Sequence, residues 1–269
     1  MVYIWPSNDI PRLNAYLLKD LSDDELKLFK KAFEFGAMSS FNPLLELIIQ
    51  KAPEDYLGKP HSYIRTKEDE AGHAGPFVLI DEQVVLKGAV WYVERFADED
   101  EVDNEQAEST DVLWKILIKT EHLPISYVNY EISNIDIQED LDGCGVEFPA
   151  KVNFKQPQVA GTSEYDLDIA DFRHDQPAYL TAFPGEYEET TDEEVLKNFA
   201  PPPDRVGRLK EDVAKETGIK SSWTSVRKAE PKELPDGTTK EFPEGSINLL
   251  HKYDPDFAWP PYEWPEKSL

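Results

Sequence analysis

Three short runs, PFVLID (76–81), AVWYVERF (89–96) and VLWKILIK (112–119), set the tightest limit on the fold. Each is dense in β-branched and aromatic residues and too short for a typical helix, so each reads as a strand. In the last, Val112, Trp114, Ile116 and Ile118 fall on one face, with Lys115 and Lys119 on the other. That is the period of two that a strand imposes on its side chains. SYIRT (62–66) and ISYVNYEISN (125–134) read as two more strands on the same grounds.

The front third reads helical. In NDIPRLNAYLLKD, Asp9 is an N-cap, Pro11 sits in the first turn, and Leu13, Leu17 and Leu18 share a face. In LSDDELKLFKKAFEFG, Ser22 and Glu25 make a capping box and Leu21 staples against Leu26. Leu26, Phe29 and Phe33 form its buried stripe, and Gly36 is the stop. NPLLELIIQKA then offers Asn42 as cap and Pro43 at the first helical position.

Fifteen residues between two of the strands, ADEDEVDNEQAESTD (97–111), are so densely acidic that they read as a solvated, mobile loop. DIQEDL opens a short helix with Asp136 as N-cap and Glu139 three residues on, closed by Gly143 and Gly145. EISNIDIQEDLDGCGV is therefore a joint between strand and helix, and its oxygen-rich corner is where a ligand would sit.

Past residue 150 prolines accumulate. Residues 184–204 read as a mobile acidic linker holding one short helix, capped by Thr191 with Glu194. Asp204 to Gly218 reads as a helix, and Asp236-Gly237 as a turn tip. The aromatic tail folds back as a strap through Trp259, Tyr262 and Trp264. The expected layout is a helical segment 1–61, an α+β core 62–148 and a Pro-rich, partly irregular region 149–269. The expected fold class is α+β, with N-terminal helices packed on a small mixed sheet.

FVLIDEQVVLKGAVWYVERF and VNYEISNIDIQEDLDGCGV resemble a microbial domain family catalogued only as a domain of unknown function. Its members run strand, spacer, strand, then an N-L-S-I-A-N-M-D-F-E-E block and a D-G-V-F ending. Asn129, Ile132, Asn134, Asp136 and Glu139 match the block; Asp142 and Gly143 match the ending. YIRT resembles the opening strand, with Lys67 where the family has Asp, and the F-R-G after the ending is missing. The resemblance covers roughly residues 62–148. It implies an α+β or α/β fold and no activity.

Charge bounds the partners. The chain of 269 residues carries 54 acids against 28 bases, a formal charge of −26. Such a polyanion is repelled by phosphate backbones and by anionic lipid surfaces, so neither nucleic acid nor membrane is expected as a partner. A basic protein is. The single cysteine, Cys144, allows no intramolecular disulfide. No basic leader precedes Pro6 and no apolar run reaches membrane length, so a cytoplasmic protein is expected.

Most chemistries fail on spacing. With Gly143 sixth in a calcium loop, Gln138 stands first and Pro149 twelfth, where ligands are needed. Cys144 lies between two glycines with no sign of activation, and EGSIN lacks the second glycine of a nucleophile elbow. AGHAGP precedes a strand, whereas a phosphate loop follows one. No cofactor is expected. Two candidate sites remain. Arg65 on a strand end could anchor an anionic ligand, with Asn134, Asp136 and Glu139 beside it. Asp166, Asp168, Asp171, His174 and Asp175 could hold a hard divalent ion. The leading reading is a non-catalytic acidic interaction protein. The alternative is a divalent-metal-dependent, hydrolase-like enzyme using residues 134–142 or 166–175.

Overall fold

A computed structural model of the chain describes residues 2–5, 10–37, 43–161, 177–234, 238–254 and 256–258. It is an α+β protein of two compact units. One unit comprises Asp9–Leu167 with Tyr262–Leu269, the other Met1–Asn8 with Asp168–Pro261. The division thus falls near residue 167, not 148, because residues 10–61 and 149–161 belong to the same sheet and core as residues 62–148.

The first strand, β1 (Tyr3–Ile4), belongs to the second unit. The first unit runs β2 (Arg12–Leu17), α1 (Asp23–Ala37), β3 (Glu46–Lys51), α2 (His61–Glu70), β4 (Phe77–Ile80), α3 (Gln83–Lys87), β5 (Ala89–Phe96), α4 (Glu99–Asp103), β6 (Leu113–Lys119), α5 (Leu123–Glu131) and α6 (Ile137–Gly143). Its sheet has the order β3-β2-β4-β5-β6. The first three strands are parallel, and β4, β5 and β6 form an antiparallel meander. Helices cover both faces. Phe29, Phe33 and Ala37 of α1 pack with Leu13, Ala15, Val78, Ile80, Val90 and Trp114 on one side. Ile64 of α2 packs with Tyr16, Phe77, Leu79 and Val93 on the other.

Two expected helices are therefore parallel strands, β2 and β3. Parallel strands are buried on both faces and lose the polar alternation that marks a strand. Leu13 and Ala15 serve one core and Tyr16 the other, so the leucine spacing imitates a helical stripe. Two expected strands are helices. SYIRT lies in α2, where Arg65–Asp69 and Lys67–Glu70 pair at helical spacing. ISYVNYEISN contributes to α5, whose first turn carries Pro124 and whose buried Leu123 and Tyr127 are four apart. The α1 reading holds: Ser22 and Glu25 exchange bonds of 3.3 and 2.8 Å. Gly36 lies inside α1 rather than after it, where the Glu121 backbone passes against it. The caps expected at Asp9 and Asn42 lie outside the described residues.

The second unit is mainly antiparallel β. After β7 (Pro177–Ala182) come β8 (Tyr187–Thr190), α7 (Glu193–Leu196), β9 (Val206–Leu209), α8 (Glu211–Thr217), β10 (Ile219–Lys220), β11 (Thr224–Ser225), β12 (Arg227–Lys228), β13 (Lys232–Glu233), β14 (Thr239–Lys240) and β15 (Ile247–Tyr253). One sheet has the order β1-β7-β15-β10, with β12 also on β15; a second runs β11-β9-β8; β13 and β14 form a hairpin. The stretch read as mobile linker thus holds β8 and α7, the latter capped by Asp192, not Thr191: its carboxylate accepts from Glu194 N at 2.9 Å. The helix expected from residue 204 begins only at Glu211, since Val206 and Leu209 are spent on β9. It does stop at Gly218, which is left-handed. The Asp236-Gly237 tip and the Trp259, Tyr262 and Trp264 strap lie outside the described residues. No helix among the described residues is long and apolar enough to cross a membrane.

His251 on β15 is 2% exposed. Its Nε2 accepts from Leu209 N at 3.4 Å, which leaves the proton on Nδ1, 3.4 Å from Ser222 Oγ. Burial pushes its pKa down to about 4. As pH falls, the unfolded chain binds this proton first, near 6.5. Stability is therefore complete above that value and is lost between about 6.5 and 4, by up to about 3 kcal/mol. Unfolding free energies of wild type and His251→Gln from pH 7 to 4 check this. The acid slope should be shallower in the variant, and parallel slopes would refute the assignment.

Candidate binding cleft

The cleft starts from an irregularity in β5. Val93 pairs with Lys115, but the next pair is Phe96 with Leu113, so β5 carries one residue more than β6 over this step. Such a bulge re-aims side chains. Here it lets Glu94 and its neighbour Arg95 line the same cavity, although adjacent strand residues normally point to opposite faces.

Arg65 holds the bulge from below. It was the expected anchor for an anionic ligand at a strand end. It lies instead on α2, fully buried, and no ligand can reach it. Its Nη1 donates to the carbonyls of Gly75 (2.8 Å) and Glu94 (3.0 Å), and its Nη2 to that of His73. Asp69 pairs with it at 2.7 Å, and the Phe77 ring lies 5.0 Å from the guanidinium carbon. An acidic chain keeps this cation inside because bulge and loop carbonyls need donors that no ladder supplies.

The acidic run 97–111, read as a loose loop, carries α4 instead. Asp98 caps it, and Glu101 completes a capping box with bonds of 2.9 Å in both directions. The Glu101 carboxylate also accepts two bonds from Arg95 (2.8 and 2.9 Å), one from Trp114 Nε1 (2.9 Å) and one from Gln138 Nε2 (2.7 Å). Burial works against its charge, but the bonds from Arg95 and Trp114 outweigh it and hold the carboxyl below the ordinary range. The like-charge density of the segment hid a D-x-x-E box, which is a helix signal.

Opposite stands the corner that the sequence singled out. Asp136 is the N-cap of α6, with extended backbone, and Glu139 reaches back to its N–H at 3.3 Å. Asn134 bonds Asn129 at 3.2 Å and is exposed. The expected joint is present, though a helix, not a strand, leads into it. Of the four expected ligand residues only Asp136 lines the cleft; Asn134 and Glu139 serve the turn, and Arg65 is under the sheet. Tyr130 closes the floor, its hydroxyl donating to Asp140 at 2.5 Å.

The cavity is about 140 Å³, lined chiefly by Glu94, Arg95, Glu101, Tyr130, Asp136 and Gln138. Three of these are acids. Among the described residues, no donor bonds the Glu94 carboxylate. Burial pushes its pKa up; Arg95 pulls the other way, and Glu101, Asp136 and Glu131 add to the rise. Among the described residues the one cation in the lining is Arg95, and it is already engaged with Glu101. The space thus has carboxylate to spare and no charge to match it.

Other chemistries find less. Cys144 is buried, and burial raises its thiol pKa, so it is a poor nucleophile. Among the described residues no three His, Cys, Asp or Glu side chains are grouped to hold a metal ion. Asp166, Asp168, Asp171, His174 and Asp175 lie outside the described residues. No family model, no curated protein and no solved structure matches this chain.

Proposed function

We propose that the chain is a non-catalytic interaction protein whose acidic cleft takes a cationic side chain from a basic partner. The observation that carries this reading is the imbalance in the cleft: Glu94 and Asp136 face a space whose only cation among the described residues, Arg95, is bound to Glu101. A cavity of about 140 Å³ suits one guanidinium or ammonium head rather than a large ligand. The surrounding charge of −26 draws a basic partner in, and the cleft fixes its orientation.

A labelled arginine-rich decapeptide, followed by anisotropy, tests this. Glu94→Gln with Asp136→Asn should weaken binding tenfold or more, since charged hydrogen bonds contribute about 1.5–3 kcal/mol each. Asp212→Asn with Glu216→Gln, on exposed positions of α8, removes equal charge elsewhere and should change affinity little. Equal losses in both pairs would mean diffuse attraction without a cleft. Binding should also strengthen as pH rises through the raised titration of Glu94, because the guest needs the ionised form.

A further inference from the structure

We propose a second site of opposite sign: the outer face of the β1-β7-β15 sheet binds an acidic, partly apolar peptide segment of a partner protein. Strand register defines the face. Tyr3, Thr181, Asn248 and Arg227 are cross-strand neighbours in one row. Trp5, Tyr179 and Leu250 lie two residues along each strand, hence on the same side. Leu180 and Leu249 point the other way and are buried. On the outer side Thr181 is itself covered, and the open part of the face is Tyr179, 60% exposed, with Leu250, 44% exposed, on adjacent strands.

Beside these residues runs an open groove of about 560 Å³, lined by Trp5, Arg227, Lys228, Glu230, Lys232 and Asn248 among others. Three bases against one acid is the reverse of the chain's 54 acids against 28 bases. One of these bases, Lys232, is also held in place, and Lys240 nearby is held in the same way. Lys232 Nζ lies 4.3 Å from the Trp5 ring centre, and Lys240 Nζ 5.0 Å from that of Tyr3. Trp5 in turn packs edge-on to Tyr3 at 5.0 Å and to Phe242 at 5.5 Å. A lysine resting on an aromatic face has already given up part of its freedom, so less is lost when an anion arrives.

The same contacts select a peptide over a nucleic acid. Single strands bind by stacking bases on bare rings. Here the Trp5 and Tyr3 rings are occupied by lysines and by each other. The remaining acids of the chain would repel a phosphate on every residue of a bound strand, whereas a few carboxylates meeting Arg227, Lys228 and Lys232 stay local. The exposed Tyr179 and Leu250 then take apolar side chains set between those carboxylates. An extended peptide alternates its side chains in this way.

A fluorescein-labelled dodecapeptide of alternating Asp and Leu provides the probe, titrated into the full chain by anisotropy. Long-range attraction cannot hold an acidic peptide to a protein of charge −26, so saturable binding reports a local site. Arg227→Gln with Lys232→Gln should lower affinity at least tenfold, and so should replacing Asp by Asn in the peptide. Tyr179→Ser should lower it several-fold with no change of charge. Lys215→Gln, exposed on α8, should leave it unchanged. The altered positions are on the surface, and unchanged thermal melts verify that each variant is folded. No saturable binding, an equal loss with Lys215→Gln, or displacement of the peptide by a twelve-residue oligothymidylate would each overturn the proposal.

Discussion

Arg65→Ala is expected to destabilise the first unit by about 4 kcal/mol, since each buried carbonyl left without a donor costs about 1–3 kcal/mol. Three carbonyls accept from this guanidinium: that of Glu94 in the half-buried bulge, and those of His73 and Gly75 in an exposed turn that water can reach. Lost packing against Phe77 adds to the cost. Arg65→Met separates the two contributions. It restores volume but no donors, and should still cost about 2 kcal/mol, chiefly through the Glu94 carbonyl. Arg65→Lys should fall between wild type and Met, because one ammonium cannot span carbonyls placed for a planar fork. Urea unfolding, with hydrogen exchange at the β4–β6 amides to single out this unit, measures all three. An Arg65→Met protein within about 1 kcal/mol of wild type would show that the carbonyls find water instead. The cleft should fail with the sheet, since Glu94 is aimed by the bulge that Arg65 supports. Its decapeptide affinity therefore drops although Arg65 touches no guest.

Gly36→Ala is expected to cost about 3 kcal/mol, at the upper end for overpacking. A Cβ at Gly36 would stand 1.8 Å from the Glu121 carbonyl oxygen and 2.6 Å from its carbon. Backbone cannot swing aside as a side chain can, so α1 would have to lift away from the segment leading into α5. Gly143→Ala is the matched comparison. It too lies in a helix, has nothing within 4 Å of the added carbon, and should be neutral or stabilising by up to about 1 kcal/mol. Thermal melts of the two variants decide the matter. Similar midpoints would mean that α1 approaches Glu121 less closely than 1.8 Å implies.

Gly36 also shows where sequence reasoning stopped. A glycine at the end of a helical stripe has two uses, a left-handed stop or a gap for a neighbour, and the sequence alone does not separate them. The meander β4–β6, helix α1 with its capping box and the start of α6 at Asp136 were legible, because each rests on local pattern or local bonds. The strands β2 and β3 were not, because burial on two faces is a tertiary fact. Helix α5 was misread from its aromatic and β-branched content, although Pro124 gave a helix-start signal. In the cleft, Asp136 was legible as an exposed cap. Glu94, Arg95 and Glu101 were not, since an extra residue in a ladder leaves no mark in composition. Arg65 stands out in the sequence, but not its use: in so acidic a chain an internal cation answers to carbonyls and to a neighbouring carboxylate such as Asp69 as readily as to ligands.

Gln156 has a consequence for the fate of the protein at high concentration. Its amide pairs with the β6 backbone as another strand would, taking the Leu117 N–H at 2.7 Å and donating to the Leu117 oxygen at 2.9 Å. Two residues on, Gln156 Nε2 also reaches the Gln158 carbonyl, and Ala160 bridges Ile118. The Gln156 amide and the Ala160 backbone, which donates to Leu117 O at 2.9 Å and accepts from Lys119 N at 3.0 Å, thus together cap the place where a second molecule would add a strand. Sheet edges without such a cap template the growth of aggregates. Loss of this amide would free the Leu117 N–H while the Ala160 backbone still holds the next step of the edge, so the damage would surface in storage and turbidity before it surfaced in a melting curve.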